Sequence, residues 1–339
     1  MLPELAVALA LLALTGYVVL GGADFGAGFW DLTAGGAERG APVRAMIKRS
    51  MAPVWEANHV WLIFLLVVLW TAFPEGFGSI MSTLAVPIFV AGLGIVLRGG
   101  AFALKGEAAT IAEARALGAT FALSSVFVPF FFGAAAGAIA AGNVPVGNAT
   151  GDEFTSWTGP TSILVGLLAV ASGAHLAAVF LGADSKRAGR PELVRAFRAR
   201  ALGSGVAAGA LAIAGLAVVS SDAPDLFDGL TSGLGLACVV VSALAGLVTL
   251  ALEWRERFEL ARFSAAAAVV AIVAGWAAAQ EPYLLPPDLT LNEAAASDAT
   301  LAALLIASAL GMLLLIPSLV WLFRLAVSGR LAYEDKPRP

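Results

Sequence analysis

The chain has 339 residues, of which 60% are hydrophobic and only 13% charged, and its mean hydropathy is +0.89. A soluble globular domain carries roughly 25% charged residues, and a net charge of −4 offers no basic footprint for nucleic acid. The apolar runs are continuous rather than alternating, which points to an all-α, polytopic membrane protein and away from a β-barrel.

Hydropathy predicts nine transmembrane helices, near residues 5–30, 54–73, 78–104, 117–141, 160–183, 201–220, 229–252, 262–280 and 301–326. The first opens MLPELAVALALLALTGYVVL, has no basic n-region, and is read as a retained span. It carries Asp24, about 30 Å along the helix from Glu4. An acid near a helix C-terminus is disfavoured by the macrodipole. Its surroundings, GGADFGAG, are small, and Gly22 and Gly26 form a GxxxG pair that lets another helix come close.

The second span opens VWEANHVW. Glu56 and His59 are three residues apart and share a helix face. Farther along that face come Ile63, Phe64 and Val67, so a proton arriving at Glu56 has no onward relay on this helix. Glu56 lies in the first turn, where the macrodipole favours an acid. It therefore reads either as a helix-end acid or as a proton carrier. Arg98 is expected to end the third span at the membrane surface, against lipid phosphate or a carboxylate.

The fifth span carries His175, which with His59 completes the histidines of the chain. Two histidines at similar depth admit one bis-histidine haem and exclude a di-haem bundle of that type. A buried histidine bonded to a neighbouring helix is the commoner arrangement. Cys238 lies in an apolar run as a small packing residue and has no partner for a disulfide. Ser297 or Asp298 is placed to cap the ninth span, and Pro317 predicts a kink within it. There is no Walker A motif, no convincing dinucleotide fingerprint and no Cys/His cluster, so no metal site is predicted.

The loops give an orientation. Basic residues occur at 39–49 (Arg39, Arg44, Lys48, Arg49), around the third connection (Arg98, Lys105, Arg115), at 186–200, at 255–262 and from Arg324 onward. These segments hold all 20 Lys and Arg of the chain, and they all fall on one side. The opposite loops contain only acids, among them Glu75, Asp152, Asp222, Glu281 and Glu293. The positive-inside rule then puts the N-terminus outside and the C-terminus in the cytoplasm. A wrong span count would scatter the basic residues over both sides. Tryptophans 30, 55, 254 and 321 fall near cytoplasmic ends and 70, 157 and 276 near outer ends, as interfacial belts do, whereas Trp61 lies deeper, between helices.

These motifs resemble one family. GYVVLGGADFGAGFWDL is similar to the first-span signature of subunit II of cytochrome bd-type quinol oxidases, and MAPVWEANHVWLIF to its second-span signature. TAFPEGFGSIMSTLAVPIF, LRGGAFALKG and the loop EPYLLPPDLTLNEAAASDATL follow in the family's order over nearly the whole chain, the first hundred residues being the specific part. The resemblance implies two four-helix bundles plus a peripheral ninth helix, divided near residues 1–143, 144–282 and 283–339. It implies a heterodimer with subunit I, which carries haem b, haem d and the quinol-oxidation loop, with a small single-span subunit as a further partner. No cofactor is expected on this chain itself. The partners otherwise are membrane lipid and quinone, and the location is a bacterial plasma membrane.

By the same resemblance, Glu56 matches the second-span acid of the cytoplasmic proton route, and Asp24 matches the first-span aspartate. His59 joins them at the intake, while Trp55, Asn58, Trp61 and Arg98 hold the helices around it. Three positions depart from the family pattern: Glu56 stands where aspartate is commoner, Ala57 where glycine is, and His59 where glutamate or glutamine is frequent. The alternative is a secondary transporter using Asp24 and Glu56 as coupling acids. The apolar midplane counts against it, because such proteins bind near the midplane at broken helices.

Overall fold

The computed structural model describes residues 1–51, 55–104 and 106–328, without the side chains of residues 37, 56, 323, 326 and 327. Lys105, Arg330, Lys336 and Arg338 of the charge map therefore lie outside the described residues, as does the side chain of Glu56.

The described chain is almost entirely helical. The first span consists of α1 (Leu2–Gly16), a π-helical turn (Tyr17–Gly21) and α2 (Gly22–Leu32) without interruption. The next elements are α3 (Ala37–Met51), α4 (Trp55–Ala72), α5 (Pro74–Thr83), α6 (Ala85–Leu104) and α7 (Ile111–Ala140). The second half holds α8 (Pro160–Arg187), α9 (Pro191–Asp222), α10 (Pro224–Leu230), α11 (Gly233–Trp254) and α12 (Phe258–Gln280). A small hairpin of β1 (Tyr283–Leu285) and β2 (Leu289–Thr290), the turn α13 (Leu291–Ala294) and α14 (Asp298–Val327) complete it. Among the described residues eight helical segments are long and apolar enough to cross a membrane, and the shorter apolar Ala57–Ala72 stands where the second span is predicted.

Several elements go beyond hydropathy. Residues 37–51, a loop by hydropathy, form α3, which carries Glu38, Arg39, Arg44, Lys48 and Arg49 and is too polar for a span. Its Val43, Met46, Ile47 and Met51 follow helical spacing and bury one face against Ala27, Phe121, Leu181 and Phe197. Arg44 holds α3 to the end of α2: its Nε donates to Asp31 Oδ1 at 2.8 Å, and its other nitrogens donate to the carbonyls of Gly35 and Gly36. The loop between α12 and α14 contains the β-hairpin, whose Leu284, Leu285 and Leu289 pack with Phe73, Leu84 and Val144. Ser297 is the cap of α14, its Oγ accepting from the N–H of Thr300 at 3.4 Å.

The two halves meet along α2 and α8. A Cβ built on Gly26 would stand 1.9 Å from the carbonyl oxygen of Gly173, and one built on Gly173 would stand 2.8 Å from that of Gly22. The GxxxG pair therefore faces α8, and its work is close approach. Trp30 Nε1 donates to the Ala174 carbonyl at 2.7 Å in the same seam. Trp30 thus pins two helices together.

Candidate functional site

The first half contains a buried ion pair. Arg98 and Asp24 are 1% and 4% exposed. Arg98 Nη1 donates to Asp24 Oδ2 at 3.3 Å, and Nη2 donates to the backbone carbonyl of Asp24 at 3.0 Å. Nε donates to Ser125 Oγ at 2.9 Å, and that hydroxyl donates onward to the Phe121 carbonyl at 2.7 Å. The guanidinium carbon lies 4.8 Å from the ring centre of Phe25 and 4.9 Å from that of Phe121. A planar, weakly hydrated cation stacked on rings and bonded at its edges is the form of charge a dry interior tolerates best.

The expected surface position of Arg98 is therefore corrected. The third span continues for six residues beyond it, to Leu104, which sets it about 9 Å inside the helix end. Of its two predicted partners, the carboxylate is the one found. Gly28 makes the site possible, since a Cβ there would stand 2.1 Å from Ser125 Oγ.

Three buried polar atoms beside this pair have no hydrogen-bond partner among the described residues: Asp24 Oδ1, Tyr17 Oη and His59 Nδ1. The His59 ring lies 5.9 Å from that of Phe25 and 6.0 Å from that of Tyr17. Unmade hydrogen bonds in an apolar interior are costly, and such groups are normally met by water or by a moving proton. The π turn that presents Tyr17 is a wider turn of the kind frequent at functional sites. Asn58 Nδ2 donates to the Leu20 carbonyl within that turn at 3.4 Å.

Two tryptophans pack among the helices around these groups. Trp61 packs on Gly16, where a Cβ would come within 2.8 Å of its ring. Trp55 lies 5.4 Å from Phe102 and 6.4 Å from His59, ring centre to ring centre. Glu56 belongs to the first turn of α4, three residues before His59. The structure thus unites Asp24, His59, Asn58, Trp55, Trp61 and Arg98, and it adds Tyr17, Phe25, Phe121 and Ser125. The hydroxyls of Tyr17 and Ser125, set within apolar runs, are the sequence signals that point to the additions.

His175 lies elsewhere. Its Nδ1 is 3.1 Å from the Ala201 carbonyl on α9, and its Nε2 is 3.5 Å from Glu253 Oε1 on α11. Both ring nitrogens therefore face groups of this chain, which is the neighbouring-helix arrangement. Glu253 is fully buried, and sequence reasoning misses it, because it ends an apolar run and looks like a terminal charge. Outside the membrane, Asp152 accepts from the N–H groups of Thr155 and Phe154, and these bonds hold its carboxyl below the usual range.

A bundle of long apolar helices enclosing an arginine–aspartate pair defines a polytopic membrane protein with a buried charged site at one end of its first span. The profile of the family described as "Cytochrome bd terminal oxidase subunit II" matches residues 2–326, and the chain belongs to that family. It is similar to the solved structure of the bd oxidase from Geobacillus thermodenitrificans, with 27% identity over 96% of this chain and 98% of that one and a TM-score of 0.75. It is also 30% identical over 92 residues to "Cytochrome bd ubiquinol oxidase subunit 2" of Bacillus subtilis (strain 168). That alignment covers 27% of this chain and 26% of the Bacillus protein, so the chain aligns with about a quarter of that curated relative's length.

Proposed function

We propose that this chain is the subunit II of a quinol:oxygen oxidoreductase in a bacterial plasma membrane, supporting a haem-bearing subunit I and supplying a cytoplasmic proton route for the reduction of oxygen to water. Haem b, haem d and quinol belong, on this reading, to subunit I, and a small single-span subunit is a further partner. The chain crosses the membrane nine times with its N-terminus outside, as two four-helix bundles (1–143 and 144–282) followed by the hairpin, the ninth helix and the tail (283–339). The one-sided basic loops and the length of the family match support this arrangement.

The observation that carries the proton route is the group of unpartnered atoms, Asp24 Oδ1, His59 Nδ1 and Tyr17 Oη, beside a fixed cation. Glu56 receives protons at the cytoplasmic end of α4, His59 stands next to it on the same helix face, and Asp24, held ionised by Arg98, tunes the entrance. Above His59, Ile63, Val67 and Trp70 are exposed and apolar, so the proton leaves sideways, into the partner. The Asp24–Arg98 pair keeps the local charge balanced while the proton passes. The secondary-transporter alternative has the family assignment against it.

The test is Glu56→Gln in the assembled complex. Oxygen consumption should slow several-fold while haem content stays the same. Unchanged turnover would remove Glu56 from the route.

A further inference from the structure

The second half carries a buried acid and base that the proton route above does not use. Glu253 is in the last turn of α11 and is fully buried, yet neither carboxylate oxygen has a hydrogen-bond partner among the described residues. The nearest ionisable group is His175 Nε2, 3.5 Å from Oε1. The other charged groups nearby are taken up elsewhere. Arg198 pairs with Glu256 at 3.2 Å and lies over the Trp254 ring. Arg200 lies over the rings of Trp30 and Phe197. Lys186 donates to the Glu256 carbonyl, and Arg262 pairs with Glu259 at 3.1 Å. Thr249 bonds to Ser264 and to the Ala245 carbonyl. No cation among these reaches the Glu253 carboxylate.

The proton count follows from the geometry. A backbone carbonyl only accepts, so His175 Nδ1, 3.1 Å from Ala201 O, carries a hydrogen. Nε2 is then the variable nitrogen and points at Glu253. An ionised carboxylate without a donor is prohibitively costly in an apolar interior, whereas a neutral acid facing a neutral imidazole is not. Gly205 preserves the space for this ring: a Cβ there would stand 2.8 Å from His175 Cε1.

We propose that His175 and Glu253 form a second proton-binding site, holding one proton on the Glu253 carboxyl with its O–H directed at His175 Nε2. Glu253 lies one residue from the end of α11, beside the charged turn Arg255–Arg257, so the proton exchanges with the cytoplasmic side. The site is distinct from the Asp24–Arg98 pair and stands whether or not Glu56 carries protons.

The test is infrared difference spectroscopy (H2O minus D2O) on the assembled oxidase complex. The expected result is a protonated-carboxyl C=O band that shifts in D2O and is missing from Glu253→Gln. In His175→Gln the band should persist at a higher frequency, because the acid has lost its nitrogen acceptor, and this variant reads the pair even if Glu253→Gln assembles poorly. A band that survives Glu253→Gln, does not move in D2O, or is indifferent to His175→Gln would overturn the proposal.

Discussion

The two halves of the chain solve the problem of a buried charge in opposite ways. In the first half the acid is on α2 and the base on α6, and in the second half the histidine is on α8 and the acid on α11. Arg98 cannot be neutralised by losing a proton at any biological pH. Its site therefore has to supply a counter-charge, acceptors and rings, and it does so with Asp24, Ser125, Phe25 and Phe121. His175 and Glu253 can both exist uncharged, and their site supplies one carbonyl, an open space at Gly205 and little else. A permanent charge demands a built shell, whereas a pair that can share a proton needs only isolation.

This contrast predicts the largest effect at Asp24. Asp24→Asn leaves a guanidinium buried without a counter-charge, at a cost of about 3–5 kcal/mol. The complex should assemble poorly, or unfold at much lower temperature in a detergent melting assay. Replacing both partners, as Asp24→Asn with Arg98→Met, should recover much of the loss, since removing a whole buried pair is often nearly neutral. A double variant as unstable as the single one would show that the charge pair is not what holds this end together.

Next is Gly26→Ala. The added Cβ would stand 1.9 Å from the Gly173 carbonyl oxygen, and both neighbours are backbone. The seam between α2 and α8 must open, at about 1–3 kcal/mol as overpacking usually costs. Gly205→Ala is the matched test in the second half, because there the obstacles are side chains, the His175 ring and Leu250, which can shift. The first substitution should lower the melting temperature more than the second.

Much of this fold is legible in the sequence, and the places where it is not have physical causes. The apolar runs foretell the helices, because transfer free energy is summed over about 20 residues and single errors average out. The three-residue spacing of Glu56 and His59 puts them on one helix face, but nothing local in the sequence says that His59 lies beside Tyr17 and Phe25. Arg98 looks like a surface charge because it stands near the end of its span and hydropathy does not say which neighbour a side chain meets, whereas α6 runs six residues beyond it to Leu104 and turns it inward. Glu253 is hidden in the same way, as an acid just past the predicted span 229–252 at the end of α11. The hairpin Tyr283–Thr290 and α3 depend on tertiary packing against Phe73 and Phe121, and no local pattern encodes that. The Arg98–Ser125 bond joins residues 27 apart in sequence, and it follows only from the way α6 and α7 pair.

A smaller effect is expected at Asn58. Its amide reaches the Leu20 carbonyl at 3.4 Å, a long bond. Hydrogen bonds between membrane helices contribute about 0.6 kcal/mol on average. Asn58→Ala should change the melting temperature slightly and leave haem content untouched. A large loss would mean that Asn58 meets more than the π turn.

The smallest stability effect is expected at Glu253, and it sharpens the comparison. If the carboxyl is neutral, Glu253→Gln exchanges one uncharged donor for another of nearly the same shape. The amide nitrogen can donate to His175 Nε2 as the acid does, so the melting temperature should hardly move. If Glu253 were instead a buried anion paired with an imidazolium, the same substitution would abolish that pair and drive the proton off His175, and the loss would be clear, though smaller than at Asp24, where Arg98 keeps its charge. Measuring the two variants side by side in the assembled complex therefore reads the charge state of the second site through stability alone. Clear losses at both would make the two halves alike, each resting on a charge pair, whereas a large loss at Asp24 beside a negligible one at Glu253 would assign permanent charge to the first half and a neutral, proton-holding acid to the second.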